Sequence, residues 1–337
     1  MNPSNPSNSS NPTNPVFTKD VLKINPEQEA ERICKFIREI TLKSFKRKGA
    51  VVGLSGGIDS AVTAELSVRA LGKERVLGLF LPEKESNPIS LEFGEKQAAK
   101  LGIKSLKIDI TDHLESLGVY EKRNAIIKRV FPEFGDHMKF HITLPQNLLE
   151  MDRLNYHSIT IEDKNGKRET KRLSATDWLE IAACQNMKQR TRMIQLYYYS
   201  EKNNYIVAGT TNKSELMQGF FVKFGDGGVD IEPLAHLYKT QVFQMADYLG
   251  VIQEIINRPP SPDTYSLPVS DKEFYFCLDY GMLDLLLYAY ENSISFDNIA
   301  RVLGFEQKQI DRVFKDFRAK EQATWHLREM APTVMMG

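Results

Sequence analysis

The sequence predicts an α/β protein with a doubly wound parallel sheet, and three observations favour this class. Residues 51–54, 75–81, 104–108 and 205–208 are short runs that predict strands, and most of them have the apolar composition of strands buried on both faces. Stretches with apolar residues at helical spacing lie between them, as in strand–helix–strand units with right-handed crossovers. Polar loops follow the strands, and ligands bind at such carboxyl ends.

The helices alternate with these strands along the chain. Residues 26–45 predict the first helix, because Pro26 stands at its start, acidic residues occupy its first turns and its apolar residues share one face. Further helices are predicted at residues 61–71, 90–101, 181–199, 237–249, 298–303 and 309–317, with helical structure expected from residue 271 onward.

The chain divides into three parts by composition, and the second of them contains an insertion. Residues 1–15 contain Asn, Pro and Ser with nothing apolar after Met1, which predicts a disordered tail. Residues 16–275 form the expected main domain, and residues 276–337 a helical C-terminal addition. Within the main domain, residues 120–175 lose the regular pattern and are predicted to be an insertion over the active-site edge. It contains one β-hairpin signal, two strand-like runs around Asn165-Gly166.

The overall composition excludes several classes of function. The chain has 337 residues, and its 44 Lys and Arg equal its 44 Asp and Glu, so no global charge attracts nucleic acid or an anionic membrane. Cys34, Cys184 and Cys277 lie far apart, which argues against a zinc site, an iron–sulfur cluster or a disulfide framework. No apolar run approaches the roughly 20 residues of a membrane span, and no signal peptide is recognisable. A cytoplasmic protein is expected.

The turn Ser55-Gly56-Gly57-Ile58-Asp59-Ser60 follows the first strand and predicts a phosphate-binding loop. Gly56 and Gly57 allow several backbone N–H groups to converge on one anion, and Ser55 and Ser60 add hydroxyl groups. Asp59 fits an anion site when a cation accompanies the phosphate, and Mg²⁺ is the candidate. A glycine-rich connector with an N-capping Asp or Ser is the alternative. The turn resembles the pyrophosphate loop of the N-type ATP pyrophosphatases, which cleave ATP between its α and β phosphates.

Other polar segments stand at the same edge of the predicted sheet. Residues 209–215 follow the fourth strand and supply hydroxyls, an amide, a cation and a carboxylate. Residues 223–233 form a glycine-rich loop with two Asp. Residues 81–86 either face the nucleotide or form a solvated turn. Arg190 and Arg192 lie two apart on a helix, so one can face a phosphate while the other holds structure.

Taken together, the motifs resemble those of the NAD⁺ synthetase family, the amidating branch of these pyrophosphatases. The matching stretches are residues 55–61, 186–192, 209–215, 223–230, 233–234 and 237–241, in the order in which the family has them. The resemblance implies an adenine nucleotide α-hydrolase-like fold and a homodimer without nucleic-acid or membrane partners. It also implies a ligase that joins nicotinate adenine dinucleotide, ATP and ammonia into NAD⁺, AMP and pyrophosphate.

The resemblance also implies roles for individual residues. Asp59 and Glu215 would hold Mg²⁺, and Asp59, Asp226 and Lys239 would be catalytic, with Asp226 near the ammonia site. The implied ATP-binding residues are Ser55, Gly56, Gly57, Ser60, Arg190, Thr210 and Lys239, and the implied dinucleotide-binding residues are Lys223 and Asp230. Each has a structural alternative: Asp226 can cap a turn, Lys239 can pair with a surface acid, and Glu215 can stabilise a helix start.

Three departures from the family pattern leave other functions open. Glu83-Lys84-Glu85-Ser86 replaces the usual Arg or Tyr-Ser, the insertion is long, and the region after Pro259 matches weakly. A paralogue amidating another carboxylate, such as a sugar acid, is therefore the second hypothesis. A non-catalytic nucleotide-binding module is the third, and a tRNA-modifying pyrophosphatase is disfavoured by the zero net charge and the absence of paired cysteines.

Overall fold

The computed structural model describes residues 17–152, 155–262 and 264–334, and a four-stranded parallel sheet forms its centre. The strands are β1 (Ala50–Gly53), β2 (Val76–Phe80), β3 (Lys104–Lys107), β4 (Lys139–Thr143), β5 (Ser158–Glu162), β6 (Arg168–Arg172) and β7 (Ile206–Val207). The central sheet has the order β3-β2-β1-β7, with all neighbours parallel. The predicted tail at residues 1–15 lies outside the described residues.

Twelve α-helices surround the strands in the described part of the chain. They are α1 (Pro26–Arg38), α2 (Ile58–Leu71), α3 (Pro88–Leu101), α4 (Thr111–Ser116), α5 (Val119–Val130), α6 (Ala175–Asn203), α7 (Lys213–Gln218), α8 (Lys239–Leu249), α9 (Gln253–Ile256), α10 (Tyr280–Glu291), α11 (Phe296–Leu303) and α12 (Gln307–Arg328). Two π-helical segments, Glu39–Ser44 and Lys272–Phe276, add to them. None of these helices is long and apolar enough to cross a membrane.

The strands β1, β2 and β7 of the central sheet are buried on both faces, as a doubly wound sheet requires, while the edge strand β3 is partly exposed. Ala50 and Val52 of β1 belong to one apolar cluster, which includes residues of α1, α2 and α8. Val51, between them, belongs to a second cluster on the other face, together with residues of α5 and α6. Successive side chains of a strand point to opposite faces, so this division follows directly from the apolar run. The predicted fold class is confirmed.

The first helix shows how local sequence fixes an element. Asn25 caps α1, since its side chain accepts a hydrogen bond from the Gln28 N–H at 3.2 Å, and Pro26 occupies the first turn. The buried residues of α1 recur at helical spacing; they are Ala30, Ile33, Cys34 and Ile37. This helix packs its apolar face beneath the sheet and supports α2, which starts at the phosphate-loop turn.

The insertion is more regular than the sequence predicts. The hairpin predicted around Asn165-Gly166 is present as β5 and β6, but β4 pairs with β5 and makes a three-stranded antiparallel sheet. Residues 119–130, predicted to be irregular, form α5, which buries Ile126 and Ile127. Charged residues interleave with the apolar ones in both elements and obscure their periods, which explains the wrong prediction for this part of the segment.

The C-terminal helices form a third packed unit. Their core contains Leu283, Leu287, Val313 and Phe317, and Phe17 from the start of the described chain joins it. The helical pair predicted at residues 298–303 and 309–317 is present, although α12 continues to Arg328. The apolar stripe at residues 283–290 therefore belongs largely to this core.

Candidate functional site

The turn between β1 and α2 has the backbone of an anion-binding loop. Gly56 has φ of +72°, and a Cβ there would lie 2.1 Å from the Ser90 carbonyl oxygen, so only glycine fits. Gly57 is the N-cap residue of α2 and has no side chain to cap the first turn. The alternative of an Asp or Ser cap therefore does not apply, and the positive helix end faces the cavity.

Serine hydroxyl groups brace this turn from within. The hydroxyl of Ser60 donates to the Gly57 carbonyl oxygen at 2.9 Å, and its oxygen lies 3.2 Å from the Ser55 hydroxyl oxygen. The Ser55 oxygen in turn accepts a hydrogen bond from the Gly57 N–H at 3.3 Å. The loop is consequently held in shape before any ligand binds.

Lys239 joins the two carboxylates that the sequence assigns to a metal. Its ammonium nitrogen lies 2.5 Å from Asp59 Oδ2 and 3.3 Å from Glu215 Oε1, and the side chain is buried. Asn212 donates to Asp59 Oδ1 at 3.0 Å and also caps α7 in a reciprocal capping box with Glu215. Thus Lys239 is not paired with a surface acid, which was its structural alternative. Glu215 both caps α7 and faces the cavity.

A third acid, Asp271, faces the same ammonium group. Its Oδ2 accepts a hydrogen bond from the Tyr280 hydroxyl at 2.9 Å, while its buried Oδ1 has no hydrogen-bond partner among the described residues. Burial opposes the charge of Lys239, but Asp59, Glu215 and Asp271 outweigh it and raise the pKa of Lys239. Burial and the neighbouring acids likewise raise the pKa of Glu215. The cluster sets three carboxyl groups against one ammonium group, and a bound cation would favour the ionised form of these carboxyls.

Two cavities meet above the carboxyl ends of the strands. The phosphate cavity, about 520 Å³, is lined by the loop residues Ser55, Gly57, Asp59 and Ser60 and by the Lys239 cluster. The apolar slot, about 180 Å³, is lined mainly by side chains of β2, α3 and α6 and their neighbours, including Leu54, Leu79, Leu91, Met193 and Leu196. Both cavities share Ser55, Gln189, Thr210, Asp226 and Pro262. An elongated ligand can therefore reach from one into the other.

Asp226 stands where the two cavities join. Its carboxylate accepts a hydrogen bond from the Val222 N–H at 2.7 Å, so it does stabilise a turn, as the alternative role requires. It also lines both cavities and is open to solvent there. The surrounding protein removes hydration and raises the pKa of Asp226 to about 6.

Three of the predicted site side chains lie outside the two cavities. Arg190 is exposed and donates to the Lys223 carbonyl oxygen at 3.3 and 3.4 Å. Lys223 donates to the carbonyl oxygens of His326 and Glu329, at the end of α12. Asp230 accepts a hydrogen bond from the Val207 N–H at 2.7 Å and so secures the end of β7. The structure brings together the remaining predicted residues but not these three.

The site also contains residues that the sequence did not assign. Arg192 lines the apolar slot and donates to the Leu81 carbonyl oxygen at 3.1 Å, so of the two spaced arginines it is the one that reaches the cavity. Arg258 lines the phosphate cavity. The helical spacing of the arginine pair showed that one would face inward, whereas nothing local to Arg258 indicated its position.

The loop at residues 81–86 is not a solvated turn. Its acidic residues, Glu83 and Glu85, do not face the candidate nucleotide site directly. Lys188, buried in α6, donates to Glu83 Oε1 at 2.9 Å, to Glu85 Oε2 at 2.8 Å and to the Thr264 carbonyl oxygen at 3.3 Å. Arg123 of α5 binds both oxygens of Glu85. The network ties this loop to the insertion, while Ser86 lines the apolar slot.

The sheet, the glycine loop and the joined cavities define an α/β nucleotide-binding protein of the ATP pyrophosphatase type. The NAD synthase family model matches residues 29–130 and 121–330. The NH3-dependent NAD⁺ synthetase of Mesorhizobium japonicum is 45% identical over 307 residues, which is 91% of this chain and 96% of that protein. That of Thermotoga maritima is 36% identical over 87% of this chain and 95% of its own length. The chain belongs to the NAD synthase family.

Solved structures agree with this assignment. The NH3-dependent NAD synthetase of Campylobacter jejuni superposes with a TM-score of 0.60 at 25% identity, over 93% of this chain and all of that one. The NMN synthetase of Francisella tularensis gives a TM-score of 0.64 with the same coverage, and at 23% identity it shows the shared fold alone. The curated relatives named here carry one activity name, which favours NAD⁺ synthesis over the sugar-acid hypothesis.

Proposed function

We propose that this protein amidates nicotinate adenine dinucleotide to NAD⁺, using ATP and ammonia and releasing AMP and pyrophosphate. The observation that carries the proposal is the junction of the phosphate cavity and the apolar slot at Asp226. A phosphate-binding end, an apolar end for a base and an ionisable group between them are what an adenylation followed by amidation requires. Family membership supports the same reaction.

ATP fits across the two cavities. The apolar slot suits the adenine base, and the loop of Ser55, Gly56, Gly57 and Ser60 suits the phosphates, because the first turn of α2 offers N–H groups and a positive dipole end. Thr210 lines both cavities, so its hydroxyl group is available to the α-phosphate region. This arrangement points the α–β bond of ATP at the cluster of Asp59, Glu215 and Lys239.

The first chemical step is adenylation of the nicotinate carboxylate. Its oxygen attacks the α-phosphorus, the bond to the β-phosphate oxygen breaks, and pyrophosphate leaves into the loop. Lys239 stabilises the negative charge that develops on the phosphates, since its pKa is raised and it stays protonated. In the second step ammonia attacks the acyl carbon and AMP leaves. Asp226 attracts ammonium and accepts its proton before this attack.

The donor set at the phosphate cavity fits Mg²⁺. Asp59 and Glu215 offer carboxyl oxygens, the ligands that Mg²⁺ prefers. In the part of the chain that the structure describes, no group of three or more acidic, His or Cys side chains could hold a metal ion by itself. Asp59 and Glu215 would hold Mg²⁺ beside the phosphates of ATP, where the ion would supply charge neutralisation.

Aromatic side chains at the far end of the phosphate cavity support a substrate with a planar ring. Trp178, Phe220, Phe221, Phe274 and Tyr275 line it. The Trp178 ring stacks on His157 of the insertion, with ring centroids 3.6 Å apart. A pyridine ring can stack in such surroundings. The resemblance further assigns Arg190 to ATP and both Lys223 and Asp230 to the dinucleotide, and these roles require a rearrangement of their present contacts.

The proposed activity is tested by incubating the protein with ATP, Mg²⁺, ammonia and nicotinate adenine dinucleotide. Equal amounts of NAD⁺, AMP and pyrophosphate are expected, and glutamine in place of ammonia serves as the control for the nitrogen source. Pyrophosphate release with another carboxylic acid and none with the dinucleotide would contradict the proposal. ATP binding without pyrophosphate release under any condition would indicate a non-catalytic module.

Asp226→Asn is expected to lower turnover by about 100-fold or more and to leave the affinity for ATP nearly unchanged. In the unsubstituted protein the required carboxylate form is lost as pH falls through about 6, the raised pKa of Asp226, so turnover should decline on that side. The pH profile of kcat for both proteins measures this. If Asp226→Asn keeps the turnover of the unsubstituted protein, and its kcat declines at the same acidic pH, Asp226 is excluded as the base.

We also propose that the protein is a homodimer in the cytoplasm. The exposed face of α6 carries Leu179, Ile194 and Tyr198, which are 65%, 58% and 56% exposed, and such an apolar stripe suits a second copy of the chain. The three cysteines are free and buried, as in a reducing compartment. Sedimentation equilibrium that gives only the monomer mass would contradict the dimer.

A further inference from the structure

Arg258 enters the phosphate cavity from outside the predicted motifs. Its guanidinium Nη1 lies 3.5 Å from the Gly56 carbonyl oxygen, and the half-buried side chain lines the same cavity as Ser55, Gly57 and Ser60. We propose that Arg258 binds the pyrophosphate of ATP and stabilises its departure. This inference rests on the proposed function, because it assigns a further residue to the same adenylation step.

The backbone holds Arg258 at this position. It follows α9, whose Ile255 is buried in the apolar cluster beneath the sheet, and the Arg258 N–H donates to the Ile255 carbonyl oxygen at 3.2 Å. Pro259 and Pro260 come next and restrict the chain. The Pro260 carbonyl oxygen accepts a hydrogen bond from the Asp271 N–H at 3.2 Å, which joins this segment to the Lys239 cluster. These backbone contacts therefore fix the position of the Arg258 guanidinium group beside the loop of residues 55–60.

The charges of the cavity give this arginine a role that Lys239 does not fill. Of the described residues that line the phosphate cavity, Lys239 and Arg258 are the cationic ones. Lys239 bonds Asp59 and Glu215 and also faces Asp271, so acids oppose its charge on several sides. A multiply charged leaving group is matched by more than one cation, and Arg258 is the second cation in the described lining of this cavity.

The geometry of the side chain suits this task. A guanidinium group presents a planar fork of donors that matches two phosphate oxygens, which an ammonium group does not. The contact to the Gly56 carbonyl oxygen places this fork against the backbone whose N–H groups face the anion. On ligand binding, the guanidinium exchanges this carbonyl contact for phosphate oxygens a short distance away. Binding and release of pyrophosphate should therefore depend on arginine specifically.

The test compares Arg258→Gln, Arg258→Lys and the control Arg69→Gln. Arg69 is an exposed arginine of α2 that donates to the Tyr248 hydroxyl at 3.2 Å and lines neither cavity. Calorimetry with magnesium pyrophosphate should show binding about 10- to 100-fold weaker in Arg258→Gln, partly weakened in Arg258→Lys and unchanged in the control. Binding of AMP should be unchanged in all three, which a general loss of structure would not permit.

Turnover adds a second readout. Arg258→Gln should lower kcat by about 100-fold, with a smaller change in the KM for ammonia. Equal pyrophosphate affinity in Arg258→Gln and the unsubstituted protein would overturn the inference, as would parallel losses of AMP and pyrophosphate binding. The calorimetry requires neither the dinucleotide nor turnover. If the protein makes no NAD⁺, the proposed function is rejected, and the pyrophosphate affinities still test the role of Arg258.

Discussion

Replacement of Asp59 by alanine is expected to lower ATP-dependent AMP formation by at least about 100- to 1000-fold. The carboxylate of Asp59 is one of the two proposed Mg²⁺ ligands and also bonds Lys239 and Asn212. Without this carboxylate, the proposed Mg²⁺ ion at the phosphates loses an oxygen ligand, and the Lys239 ammonium group loses its nearest carboxylate. Glu215→Ala should have an effect of the same order, because Glu215 supplies the other proposed carboxylate ligand of Mg²⁺ and also bonds Lys239.

Matched variants separate a metal role from a structural one. Asp59→Asn keeps the size of the side chain, and its turnover should require a higher Mg²⁺ concentration than that of the unsubstituted protein. Asp112→Ala removes an exposed acid of α4 and should leave turnover within about twofold, as surface substitutions usually do. Near-normal AMP formation in Asp59→Ala or Glu215→Ala would remove the metal assignment. The measurements are AMP formation as a function of Mg²⁺ and the unfolding midpoint of each variant.

Lys188→Met is expected to destabilise the protein by about 3–5 kcal/mol. Lys188 and Glu83 have fully buried side chains, and Lys188 is bonded to both Glu83 and Glu85. Methionine fills a similar volume but removes the ammonium group bonded to the buried Glu83, while Glu85 keeps its ion pair with Arg123. An uncompensated buried charge is costly, because the low-polarity surroundings replace its hydration.

Urea unfolding of three proteins measures this effect. Lys202→Met, at the exposed end of the same helix, is the control and should change the free energy of unfolding by less than about 0.5 kcal/mol. The double variant Lys188→Met/Glu83→Gln should recover part of the loss, since it removes the carboxylate charge that Lys188→Met leaves without its cation. A loss below about 1 kcal/mol in Lys188→Met would contradict the structural importance of this network.

Part of the candidate site follows from the sheet topology that the sequence predicts. The strands β1 and β7 are parallel, so the loops that follow them lie at one edge of the sheet, which is where the sequence places Asp59 and Glu215. The structure places both carboxylates on one ammonium group, that of Lys239. Their assignment to Mg²⁺ stays a prediction, as do the ligand roles of the other site residues.

The parts that sequence reasoning missed depend on contacts between distant segments. Arg258 lies beyond the recognisable motifs and Asp271 lies in the region after Pro259 that matches the family weakly, yet both line the phosphate cavity. The spacing of Arg190 and Arg192 fixed their relative directions but not which faced inward. Glu83 looked like part of a solvated turn because its partners, Tyr120 and Lys188, are 37 and 105 residues away in sequence.

The position of α12 has a consequence for biosynthesis. Thr324 and Leu327 line the phosphate cavity, and Gly219 at the end of α7 has no room for a Cβ beside Thr324. Lys223 bonds the carbonyl oxygens of His326 and Glu329. The phosphate cavity therefore lacks one wall until α12 has left the ribosome, so its finished geometry cannot form before this helix has been synthesised and packed.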